Sequence, residues 1–179
     1  MSRAWGALLV LALPAAAAAS QGGAGTRQSW QQAQEALACL GRGDYRSAES
    51  AASRAIALDG RNAQAWNLRA MARANLGRYD GSIQDASAAL ALDAARAAPW
   101  ATRSWAFARE GRFSLAEADA RAALARAPGN AYAYYDLALA LAGEGRRPEA
   151  LAALHLAAKG DPARFAPYYE RARLARGGA

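Results

Sequence analysis

The chain has 179 residues, 54% of them hydrophobic, and a formal charge of +7. That length is one ordinary domain, and an apolar fraction dominated by alanine, with Val, Ile and Thr scarce, favours close-packed helices and excludes an extensive sheet. One cysteine and one histidine exclude an intramolecular disulfide and leave too few ligands for a zinc site, while arginines interleaved with Asp and Glu read as a solvated basic surface rather than a nucleic-acid-binding stripe.

The chain opens on Met-Ser-Arg and an apolar run from Ala4 to Ala19, ending in small residues before Ser20. This is the pattern of a secretory signal peptide. The run falls short of the roughly 20 apolar residues a spanning helix needs and contains Gly6 and Pro14. We therefore expect residues 1–20 to be a signal, cleaved near Ala19 or Ser20, leaving no stable membrane span. No cysteine marks the junction, which argues against a lipoprotein anchor. Residues 21–28, rich in Gly, Ser and Thr, read as a flexible leader.

Beyond the leader the sequence repeats itself. Gly43, Gly77, Gly111 and Gly145 stand 34 residues apart. Tyr45, Tyr79 and Phe113 follow two positions after the first three glycines, and Arg147 breaks that run in the fourth. Ala48, Ser82, Ala116 and Ala150 form a second ladder, and Ala55, Ala89, Ala123 and Ala157 a third. Units close on Asp59-Gly60, Asp93-Ala94, Ala127-Pro128 and Asp161-Pro162, and Trp66, Trp100 and Tyr134 share one position near the start of the later units.

These landmarks resemble the tetratricopeptide repeat family over residues 29–162, with Gln32 departing from the Trp66 position. The resemblance implies an all-α fold, a right-handed α-solenoid of antiparallel helix pairs, with no cofactor. The spacing has its own physical account. Each glycine ends a first helix by adopting φ > 0, the alanines let helices cross closely, and proline stops a second helix. Helices are predicted over 29–41, 45–58, 63–76, 79–92, 97–110, 113–126, 131–144 and 147–159, with repeats at about 29–62, 63–96, 97–130 and 131–164. A ninth, 165–176, is Arg-rich and reads as the polar capping helix a stack needs.

In this family the first helices line a concave surface. The resemblance places Asn67, Leu68, Met71, Asn75, Thr102, Trp105, Arg109, Tyr132, Tyr135 and Asp136 on it. Trp105 lies five residues past Trp100, about 140° round the helix, so the two cannot share one buried stripe. It is a candidate ligand anchor, or it packs on the next repeat. Tyr132 and Tyr135 share a face, while Tyr134 points to the core. Arg69 with Asp85 and Arg103 with Asp119, each 16 apart, read as ion pairs within hairpins, worth about 0–1 kcal/mol if exposed. One subset of the family clamps partner C-terminal carboxylates with paired Lys and Asn; the lysines are missing here and Leu68 replaces the asparagine. Cys39 reads as a small buried hydrophobe, with a thiol open to intermolecular disulfides after export as the alternative, and His155 as a surface or interface residue.

The sequence shows no nucleophile–base set and no phosphate loop. The expectation is a non-catalytic scaffold for a protein or peptide partner, exported to a bacterial periplasm or secreted, with no nucleic acid partner. The alternative is an assembly subunit that docks or self-associates through the ends of the stack.

Overall fold

The computed structural model describes residues 15–176. Among them are nine helices and no strand: α1 (Ala15–Gly41), α2 (Tyr45–Leu58), α3 (Ala63–Asn75), α4 (Tyr79–Leu92), α5 (Ala97–Arg109), α6 (Phe113–Arg126), α7 (Ala131–Gly143), α8 (Arg147–Gly160) and α9 (Pro162–Arg176). Each helix packs on the next from α1 to α9, which makes the fold an α-solenoid of helix pairs.

The turn inside each pair is the same four times. Gly43, Gly77, Gly111 and Gly145 have φ of 76–79°, the left-handed region that glycine enters without a Cβ penalty. At Gly77 the amide donates to Ala74 O at 3.1 Å and the next amide, Arg78, to Arg73 O at 2.9 Å. This pair of bonds closes the helix end and satisfies carbonyls that would otherwise be orphaned. Going the other way, Asn62 and Asn130 cap α3 and α7 with their side-chain oxygens. The indoles of Trp66 and Trp100 donate back to Gly60 O and Ala94 O, tying each first helix to the loop before it.

Alanines form the core at the crossings. Ala48, Ala116 and Ala150, and Ala55, Ala89, Ala123 and Ala157, are all buried. Ser82 takes the alanine position in the second repeat, and its buried hydroxyl has no hydrogen bond among the described residues. The aromatic at the start of a second helix wedges against the next unit: a Cβ on Gly143 would strike the Phe113 ring.

The Arg69–Asp85 and Arg103–Asp119 pairs form as bidentate contacts of 2.7–3.0 Å. They are not surface pairs, because the Asp85 and Asp119 side chains are only 4% and 7% exposed. Arg73 also reaches Asp85, and bridges to Glu49 of the previous repeat. A second hub lies further along, where Arg146 holds Glu117, Glu144 and Glu149. Its hydrogen bonds, first to Glu149 and then to Glu144 and Glu117, raise the guanidinium pKa further.

Two boundaries differ from expectation. Most of the proposed signal, residues 1–14, lies outside the described residues. Residues 21–28, expected as a flexible leader, continue α1 as helix. Gly25 allows this: a Cβ there would sit 3.2 Å from Leu58 O, so the bare backbone lies close against the end of α2. Ser29 then donates to Ala55 O at 2.8 Å and accepts from Asn62 at 2.9 Å. The ninth helix starts at Pro162 rather than 165, since proline suits the first turn of a helix and Asp161 accepts from the Arg164 and Phe165 amides. No helix among the described residues is long and apolar enough to cross a membrane.

Candidate functional site

The helix contacts give the stack an inside and an outside. First helices touch one another, α1 on α3, α3 on α5 and α5 on α7, whereas the second helices make no comparable contacts among themselves. Rows of unequal spacing curve the stack toward the closer row, so the first helices line its concave side.

A groove of about 830 Å³ opens on that side. Met71 and Asn75 of α3, Thr102 and Trp105 of α5, and Tyr132, Tyr135 and Asp136 of α7 line it. Three expected members are placed differently. Leu68 is buried in a core cluster with Ala33, Ala36 and Ala65, because α1 packs over that part of α3. Asn67 is buried too; its amide donates to the Met71 sulfur at 3.6 Å, while its side-chain oxygen has no hydrogen bond among the described residues. Arg109 is exposed but engaged: it donates to the Tyr79 hydroxyl at 3.2 Å and lies over the Tyr79 and Trp105 rings.

Trp105 itself meets Tyr79 edge-to-face, with ring centroids 6.2 Å apart. It both packs on the neighbouring repeat and faces the groove. Thr102 donates to Ala98 O of its own helix at 3.0 Å, so its hydroxyl is held rather than activated.

The far wall comes from α9, the helix expected as a polar cap. Phe165 is buried and stacks on Tyr135 at 5.1 Å, and Tyr132 meets it edge-on at 5.4 Å. Tyr168 closes on Tyr135 at 5.5 Å. The sequence carries one signal for this wall. Ala63, Ala97 and Ala131 hold the position that Phe165 takes one unit later. The opposite rim includes Leu40, Arg42 and Tyr45, also outside the expected set.

Electrostatically the groove is uneven. Arg42 and Arg164 stand on its rim. Asp136 lies within it, 5% exposed, and burial holds its carboxyl well above the usual carboxylate range. Burial is also the main reason the Tyr135 hydroxyl is pushed up, with Tyr168 and Asp136 adding to it.

No family model matches the chain, and no curated protein matches it. Solved structures do. A thermophilic tetratricopeptide-repeat protein of Thermus thermophilus superposes with a TM-score of 0.69 at 17% identity, over 75% of each chain. The Arabidopsis OM64 tetratricopeptide-repeat domain gives 0.60 at 26% identity, over 63% of this chain and 93% of that one. The second such domain of human RPAP3, solved in complex with an HSP70 peptide, gives 0.58 at 26% identity, over 66% and 97%. Four in-phase turns, alanine crossings and this likeness in shape give the chain the fold of a tetratricopeptide-repeat solenoid.

Proposed function

We propose that the chain is a non-catalytic scaffold of the cell envelope that holds an extended segment of a partner protein in the groove on its concave side. The observation that carries this is the groove itself: aromatic faces from α5, α7 and α9 and polar side chains from α3 and α7 converge on one open channel. An open channel walled by helices suits a peptide better than an enclosed small molecule. Structural likeness to the human RPAP3 domain, solved with a peptide, supports the same use. Signal-directed export, to a periplasm or outside the cell, is part of the proposal and rests on the apolar run from Ala4 to Ala19.

The test starts from the full chain expressed with its own N-terminus. Partners are captured from the envelope fraction, and N-terminal sequencing of the recovered chain reports whether the signal has been removed. Replacing Trp105 with Ala is expected to weaken capture by about 2 kcal/mol, roughly thirtyfold, with the helical spectrum retained. Unchanged capture by a folded variant refutes the groove as the site.

A second reading, assembly through the ends of the stack, has one observation in its favour. On α1, Trp30 and Leu37 are 41% and 46% exposed. Light scattering that shows a stable monomer speaks against self-association.

A further inference from the structure

The groove contains a buried acid with nothing to hold it. Asp136 is buried in the fold and lines the channel, yet among the described residues it makes no hydrogen bond or ion pair. The other buried aspartates differ. Asp85 is held by Arg69 and Arg73, and Asp119 by Arg103. A buried carboxyl is costly unless a partner satisfies it, so an unsatisfied one that faces a channel marks where the partner arrives from outside.

The surroundings say what kind of partner. Tyr132 and Asp136 are one turn apart on α7 and Tyr135 lies beside them, with Tyr168 set against Tyr135 at 5.5 Å. Aromatic faces attract cations through the ring quadrupole. The chain already shows these faces taking guanidinium groups, since Arg164 lies over Tyr132 at 5.2 Å and Arg109 over Trp105 at 6.0 Å. No cation of the chain lies over Tyr135 or Tyr168 among the described residues.

We propose that Asp136 with the rings of Tyr135 and Tyr168 forms a subsite for one basic side chain, arginine or lysine, of the peptide lying in the groove. The proposal rests on the groove being the binding site. A guanidinium or ammonium seated there pairs with the carboxylate while its alkyl stem and charged plane lie on the rings. The rim arginines Arg42 and Arg164 set a limit: a peptide with basic residues along its whole length is repelled, and one with a single basic residue at this register is selected.

The test uses random dodecapeptides displayed on phage and panned against the full chain. Enriched sequences are made synthetically and titrated by tryptophan fluorescence. The expected outcome is enrichment of peptides with one Arg or Lys, whose replacement by citrulline or norleucine weakens binding at least tenfold. Asp136→Asn is expected to lose the same factor and to become indifferent to the swap. Tyr168→Ala, at a ring 47% exposed that rests on Tyr135 and Phe165, weakens the basic peptide more than its neutral twin. Two results overturn the subsite while leaving the groove reading intact: peptides that bind through Trp105 with no basic residue, and acidic peptides that depend on Arg42 or Arg164. Peptides whose binding ignores Trp105→Ala, or no enrichment at all, refute both readings.

Discussion

At the scale of single residues, the balance between burial and satisfaction separates scaffold from site. Asp85 and Asp119 are buried against arginines that grip them bidentately, and removing either acid leaves a part-buried guanidinium without its carboxylate. Asp136 has no such grip, and burial alone raises its pKa. A carboxyl that keeps its proton better when folded makes the native state bind more protons than the unfolded chain, so stability falls as pH rises. The loss begins near the unfolded value of about 3.9 and is complete above the folded value. Asp136→Asn, neutral at every pH, is therefore expected to melt at a higher temperature than the parent at pH 7. Near pH 3 the two should melt together, and melting curves across that range check it. The 16-residue spacing that pairs Arg69 with Asp85 was readable from the sequence, because register fixes which residues face each other within a hairpin. The isolation of Asp136 was not, because it follows from what every neighbouring helix fails to supply.

Among the helices, repetition made the boundaries legible. The glycine ladder located all four inner turns, and the structure shows each with φ near +77° or within two degrees of it. Terminal units broke the rule for physical reasons. Residues 21–28 have a linker's composition, yet Gly25 serves close approach to Leu58 O, so the same residue type carries the opposite meaning. The arginines of α9 suggested a polar cap, but its inner side is aromatic, through Phe165, Tyr168 and Tyr169. Leu68 sank into the core because α1 covers it, a contact between first helices that sequence spacing within a hairpin does not report. The aromatic wedge yields a prediction here. Gly143→Ala would normally favour a helix by about 1 kcal/mol, but the added Cβ strikes the Phe113 ring. Overpacking of this kind costs about 1–3 kcal/mol, so the variant should be less stable in urea unfolding. Phe113→Leu in the same background should recover part of the loss.

For the molecule as a whole, a stack depends on its ends. Removing α9 strips the cover from Ala157, Ala158 and Leu154 and takes Phe165 and Tyr168 from the groove. A chain ending at Asp161 is expected to lose several degrees in melting temperature and to associate in light scattering, as an uncapped repeat does. If it stays monomeric and fully stable, α9 is an appendage rather than part of the stack. The inner row of helices touching while the outer row stands apart has a mechanical meaning too. Straightening the stack pulls α3, α5 and α7 away from one another, and tightening it presses them together. The radius of the arc and the width of the channel are thus one variable. A segment that reaches from Met71 to Tyr168 braces four helices at once, so what lies in the channel also sets how far apart the two tips of the molecule stand.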